Sequence, residues 1–132
     1  VHFRRGDYVS DKKVNKKHGV CSIDYYKKAA EIIKTKLQNP VFYIFSDDIE
    51  WVKINFCIKD YPVINIENTE DYEDLKLMCS CKHNIIANST FSWRGAWLNN
   101  NPKKNVIAPN HWFKDNKNIN KTKLIPSEWI KI

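Results

Sequence analysis

The chain has 132 residues, a formal net charge of +7, 42% apolar and 13% aromatic residues, and only three glycines. That apolar and aromatic content is enough for a core and excludes disordered and collagen-like classes, while the length favours one domain. Three glycines also exclude a glycine-rich phosphate loop, so arginines, hydroxyls and backbone N–H groups would have to hold any phosphate.

No run of about 18 or more apolar residues occurs, and no apolar leader with a small-residue cleavage site opens the chain. The first residues lie inside an apolar-basic run, Val1-His2-Phe3-Arg4-Arg5. The expectation is a soluble chain that is a piece of a longer polypeptide. Of 22 basic residues only Arg4, Arg5 and Arg94 are arginines, and the lysines are scattered among acidic residues. The charge therefore reads as a dispersed, solvated surface, with an anionic partner as the competing reading. Cys21, Cys57, Cys79 and Cys81 contain no Cys-x-x-Cys pair, and His18, His83 and His111 lack metal-ligand spacing, so no zinc site is expected. Four thiols of this kind suit a reducing compartment. The sequons at Asn88 and Asn120 are taken as chance matches, the first because it follows a buried apolar run.

In chain order, residues 1–5 read as a strand and residues 22–39 as a helix capped by Ser22, with Ile23, Tyr26, Ala30, Ile33 and Leu37 at three- and four-residue steps. Asn39-Pro40 stops it. Val41-Phe42-Tyr43-Ile44-Phe45 is continuously apolar, as in a strand buried on both faces, and Ser46-Asp47-Asp48 supplies the cap of a short helix to Ile54. A strand at 63–66, a helix at 70–82, a strand at 84–88, a helix at 91–99, a strand at 105–108 and an apolar closing segment at 129–132 follow. Residues 6–21 and 110–123 read as irregular. Strand and helix in alternation predict an α/β fold, a Rossmann-like parallel sheet with helices on both faces, whose ligands bind at the strand-to-helix junctions.

Four junctions carry candidate chemistry. The first is His2-Phe3-Arg4-Arg5-Gly6-Asp7, where guanidinium stands although lysine is the common cation of this chain. Its planar fork suits a diphosphate, and an Arg5–Asp7 pair bracing a turn at Gly6 is the plainer alternative. Asp47 and Asp48 at the second could bind a divalent metal, but helix capping demands the same residues and is preferred. At the third, one carboxylate among Asp71, Glu73 and Asp74 could read the N–H edge of guanine, against simple complementarity to the helix dipole. The fourth, Asn88-Ser89-Thr90-Phe91-Ser92-Trp93-Arg94-Gly95, offers hydroxyls and N–H groups to an anion, or an ordinary cap followed by a core helix containing Trp93 and Trp97.

HFRRGDY, FSDD and DYEDLKLMCSCKHNIIANSTFSWRGAWLN resemble the ordered motifs of the alpha-1,2-fucosyltransferases of glycosyltransferase family 11, and Ile125-Pro126 with Glu128-Trp129-Ile130 is similar to the family's C-terminus. The resemblance implies that residues 1–132 are the GDP-fucose-binding, C-terminal half of a GT-B-type enzyme, with the N-terminal acceptor-side domain outside them. It places His2 and Arg5 on the diphosphate, Arg4 as their support through Asp7, Asp74 on guanine, and Ser89, Thr90 and Ser92 at the phosphates. Arg5 is then the catalytic cation. Asp7, with Asp11 nearby, is the candidate general base, which could equally lie in the other domain. No metal or other cofactor is implied. The partners implied are GDP-fucose and a galactose-terminated glycan whose 2-hydroxyl accepts the sugar with inversion, and nucleic acid is not among them. The expected setting is the bacterial cytoplasm with peripheral attachment at the inner membrane, or a Golgi membrane for a eukaryotic source. Where the family has Trp-Trp-Gly, this chain has Trp93-Arg94-Gly95. The competing functional readings are a fucosyltransferase with another acceptor and a non-catalytic basic module that binds nucleic acid or another polyanion.

Overall fold

The computed structural model describes residues 1–114 and 124–132, and its strands are parallel. Strand β1 (His2–Phe3) leads through helices α1 (Gly6–Ser10) and α2 (Lys12–His18) to α3 (Ile23–Lys36). Strand β2 (Phe42–Ser46), α4 (Ile49–Asn55) and β3 (Val63–Asn65) complete one sheet of order β1-β2-β3. Then α5 (Asp71–Ser80), β4 (Asn84–Ile85), α6 (Thr90–Leu98), β5 (Val106–Ala108) and β6 (Ile130–Lys131) form the second, of order β4-β5-β6. Laid side by side through β1 and β4, the sheets are compatible with the doubly wound order 3-2-1-4-5-6, in which chain direction across the sheet reverses between those two strands.

The Ser22 hydroxyl accepts the Tyr25 N–H at 3.1 Å and starts α3 as expected. Its apolar stripe is wider than the simple period suggests: Tyr25, Tyr26, Ala29, Ala30 and Ile33 are all buried, against Phe3, Phe42, Ile44, Val52, Phe56, Ile85 and Ile107. Ile86, Val106 and Ala108 point to the other face of the second sheet, where they pack with Ala96 of α6 and with Trp112 and Trp129. The alternation of side chains along β4 and β5 thus places α3 on one face and α6 on the other. Phe3 with Ile85 and Ile107 in a single cluster joins the two sheets through one core.

Two expectations need correction. Residues 6–21 are mostly helical, and neither α1 nor α2 buries a residue, so no apolar period could reveal them. A polar cap organises the second: the Asp11 carboxylate accepts from the Lys13 and Val14 N–H groups. In β2, Phe42, Ile44 and Phe45 are buried but Tyr43 is 41% exposed, so the strand is covered on both faces only at its C-terminal end, at Phe45, and not at Tyr43. The uncovered side faces a cavity of about 640 Å³ at the N-terminal ends of the strands, lined in part by Val1, Tyr43, Cys81 and Ile85.

Polar ties close the second half. Asn84 and Asn99, both buried, bond each other at 2.8 Å, and their amides reach the Met78 and Cys81 carbonyls at the end of α5. Lys104 Nζ donates to the Ala96 and Asn99 carbonyls and so caps the C-terminus of α6. Trp93 packs against the second core beside Trp129 as expected, whereas Trp97, expected there too, is 53% exposed and stacks on Trp93 with ring centroids 5.1 Å apart. No helix among the described residues is long and apolar enough to cross a membrane.

Candidate functional site

The register of the first sheet builds the site. Phe3 of β1 lies opposite Ser46 of β2, so the residues that leave the two parallel strands, Arg4-Arg5 and Asp47-Asp48, emerge side by side. Arg4 is held by two carboxylates, Asp7 at 2.6 Å and Asp47 at 3.0 Å. Arg5 bonds Asp48 through Nε at 3.0 Å, and its backbone N–H donates to Asp47 at 2.8 Å. Its guanidinium carbon sits 3.3 Å from the centre of the Trp51 ring. The alternative of an Arg5–Asp7 brace is therefore not seen, and Asp7 pairs with Arg4 as the resemblance implies.

Asp47 and Asp48 do not cap α4. Asp48 stands at the N-cap without a side-chain cap bond, and its own N–H donates to Ser46 Oγ at 3.0 Å. Parallel pairing brought arginines to the carboxylates, and a bond to guanidinium is charged on both partners where a cap bond to a backbone N–H is charged on one. Among the described residues no cluster of His, Cys, Asp and Glu could hold a metal ion.

His2, the last but one residue before the arginines, is 6% exposed, and its Nδ1 is buried without a hydrogen-bond partner among the described residues. Burial, with the N-terminal ammonium and Arg4 adding to it, holds its pKa down to about 3, so the ring is neutral at pH 7. The ring centroid lies 5.6 Å from that of Phe91, in the first turn of α6. Tyr8 of α1 donates its hydroxyl to the Asn88 carbonyl at 3.2 Å, just before that turn. These two contacts bring the first and fourth junctions together.

At the fourth junction Ser89 is the N-cap, its Oγ accepting from the Phe91 N–H at 3.3 Å, and Thr90 is exposed. Ser92 turns inward. At 1% exposure its hydroxyl is bound to the Ala87 and Ser89 carbonyls, so it shapes the loop and does not offer an O–H outward as expected. Asn88 is the residue the sequence reasoning missed: buried to 3%, its amide donates to the His18, Gly19 and Trp112 carbonyls. That arrangement locks α2, β4 and the segment after β5 around the junction and leaves its sequon unavailable. The sequon at Asn120 lies outside the described residues.

The third junction is organised by its own bonds, and α5 packs on α6 where Gly95 lies against Met78. Asp74 accepts from Thr69 Oγ1 at 2.6 Å, while Glu70 and Glu73 form a reciprocal capping box at the start of α5. Among the described residues no hydrogen bond or ion pair links Asp74 to Arg4, Arg5 or Ser89. Asp11 serves α2 as its cap, and Arg94 is exposed.

The site thus combines a fixed arginine, a neutral buried imidazole and a hydroxyl-rich helix start at the carboxyl ends of β1 and β4, where doubly wound sheets bind phosphorylated ligands. The model for Glycosyl transferase family 11 matches residues 1–132. The chain is 43% identical over 134 residues to the O-antigen biosynthesis glycosyltransferase WbnK of Escherichia coli. It is 42% identical over 135 residues to an alpha-1,2-colitosyltransferase of the same species, and both alignments cover 100% of the chain. Against the galactoside alpha-(1,2)-fucosyltransferase 1 of Homo sapiens it is 29% identical over 101 residues, covering 74% of the chain and 28% of that protein. It covers 43% and 46% of the two bacterial proteins, and so spans about half the length of the curated relatives it matches. No solved structure matches.

Proposed function

The chain belongs to glycosyltransferase family 11, and we propose that it is the donor-binding half of an inverting, GT-B-type enzyme that moves L-fucose from GDP-fucose to the 2-hydroxyl of a galactoside. The observation that carries this reading is the Arg5 guanidinium, fixed at the carboxyl end of β1 by Asp48 and Trp51 with its terminal nitrogens facing no carboxylate among the described residues. As GDP leaves and the sugar passes through an oxocarbenium-like state, negative charge grows on the β-phosphate. Arg5 stabilises that charge, and His2 as a neutral donor, Ser89 and Thr90 hold the phosphates. A fixed donor of this kind is worth roughly 3 kcal/mol in the transition state. Arg4 and inward-facing Ser92 support them, Asp74 reads guanine, and Asp7 is the candidate base if the acceptor approaches from its side. No metal is required, because fixed cations and N–H donors do the same work.

The test is calorimetry and thermal melting of residues 1–132 with GDP in the presence of a chelator. GDP should bind and raise the melting temperature, ADP should bind more weakly, and Arg5→Ala should abolish the shift. GDP without effect overturns the proposal, and equal binding of GDP and ADP removes the guanine reader and favours a general polyanion site. The 42% identity to the colitosyltransferase supports a second donor reading, transfer of colitose, which a comparison of donor sugars on the full-length protein separates. The cellular setting proposed is the bacterial cytoplasm, with peripheral attachment at the inner membrane during synthesis of surface glycans.

A further inference from the structure

Adjacent in sequence, Arg4 and Arg5 are bound in opposite ways. The terminal nitrogens of Arg4 face two carboxylates, NH2 on Asp7 at 2.6 Å and NH1 on Asp47 at 3.0 Å. That fork is closed. Arg5 is bound only by Nε, to Asp48 at 3.0 Å, and among the described residues neither of its terminal nitrogens meets a carboxylate. One flat face of the same guanidinium lies on the Trp51 indole at 3.3 Å from the ring centre. A hydrogen bond at Nε fixes the guanidinium within its plane, and a ring beneath fixes the plane itself. The edge that remains carries the two terminal nitrogens, which is the edge that recognises phosphate oxygens bidentately.

We propose that Asp48 and Trp51 are positioning residues that hold Arg5 in one orientation before the donor's diphosphate arrives. The inference rests on the reading above that Arg5 meets phosphate. An unrestrained arginine loses side-chain entropy when it binds, and here the fold has already ordered it. The two residues are well placed for this. Asp48 is the N-cap of α4 and Trp51 lies in its first turn, and Val52 next to Trp51 is 1% exposed in the main core, so the clamp is anchored to the packed interior. The side chain of Asp48 is 38% exposed and that of Arg5 16%. Water around the carboxylate weakens its field, so Asp48 orients the guanidinium without cancelling its attraction for an anion.

The test uses residues 1–132 with nitrogen-15 in the arginines. In the wild type the Arg5 Nε–H resonance should be shifted by the Trp51 ring current and exchange slowly with water; Trp51→Leu should remove both signatures, and Trp51→Phe should keep the ring-current shift in reduced form. Calorimetry with GDP and with inorganic pyrophosphate should give dissociation constants roughly tenfold weaker for Trp51→Leu and Asp48→Ala, the scale of one desolvated cation–π contact or charged hydrogen bond. Trp51→Phe should stay within about threefold of wild type, a rescue that a purely structural role does not produce when the melting temperatures of the two Trp51 variants agree. If the wild type binds GDP and the variants bind it equally well, or if the wild-type Nε–H shows no ring-current shift, the positioning role is wrong and the donor reading stands. If the Arg5 signatures are present but the wild type binds neither GDP nor pyrophosphate, the donor reading falls and the positioning role with it.

Discussion

The Asp47 carboxylate occupies the space that a side chain on Gly6 would need: a Cβ built at Gly6 would lie 2.6 Å from Asp47 Oδ2. The same oxygen pairs with Arg4, and the other accepts the Arg5 N–H. Gly6 is therefore required for close approach, not for an unusual backbone angle. Gly6→Ala should push Asp47 away from both arginines and destabilise the chain by about 1–3 kcal/mol, as overpacking at a fixed contact does. Urea unfolding measures this, and a GDP titration of the same variant should show weakened binding.

The two arginines should separate experimentally. Arg4 bridges Asp7 and Asp47 with two nitrogens, a geometry that the single ammonium of lysine cannot span. Arg4→Lys should therefore lower stability by about 1 kcal/mol. Arg5→Lys should retain charge near the phosphates yet lose the Nε bond and the stacking on Trp51, so it should lower stability by about 1 kcal/mol as well and, unlike Arg4→Lys, weaken GDP binding directly. Urea unfolding and a GDP titration check this, and equal effects of the two substitutions on GDP affinity would contradict the division of roles.

Local signals made α3 and β2 legible. Ser22 caps as its type predicts, and Tyr26, Ala30 and Ile33 recur on the buried face. The helices α1 and α2 were not legible, because neither buries a residue and only Asp11 marks the boundary between them. Asp47 and Asp48 were misread as caps because their partners lie 42 or 43 residues earlier and meet them only through the parallel register of β1 and β2. A signal did exist: two arginines leave one strand and two aspartates leave the next, which parallel pairing turns into a charge network. Ser92 misled for the opposite reason. Its type suits an anion loop, but its position in the first turn of α6 aims it at the carbonyls beneath.

Asn88 should be among the least replaceable residues. Its amide meets three carbonyls, those of His18, Gly19 and Trp112, while its Oδ1 lies 3.4 Å from Cys21 Sγ. Asn88→Asp keeps the shape but sets a buried carboxylate against carbonyl oxygens. The expected loss is about 3 kcal/mol or more, against about 1–3 kcal/mol for Asn88→Ala, which leaves the carbonyls unpaired without adding charge. Denaturant unfolding of both variants checks the order, and Asn88→Ala as the worse of the two would overturn it.

The pH dependence of stability should reveal His2. Its pKa is held down to about 3 in the fold against 6.5 in an exposed chain, chiefly by burial. Between those values the unfolded chain binds a proton at this position and the folded chain does not, so stability falls as the pH is lowered through that window and is fully present above 6.5. The whole shift corresponds to an upper bound on the order of 5 kcal/mol, approached only below pH 3. The Val1 ammonium, lowered by burial to about 6, titrates at the upper edge of this range and is present in wild type and variant alike. The difference between wild type and His2→Gln in urea midpoint, measured at pH 7.5, 5.5 and 4.5, should therefore shrink or reverse toward acid. An anion at the α6 start should act against this effect, since phosphate beside the ring favours imidazolium and raises its pKa. Saturating GDP should thus flatten the wild-type acid slope, while an identical slope with and without bound GDP would place the diphosphate away from His2.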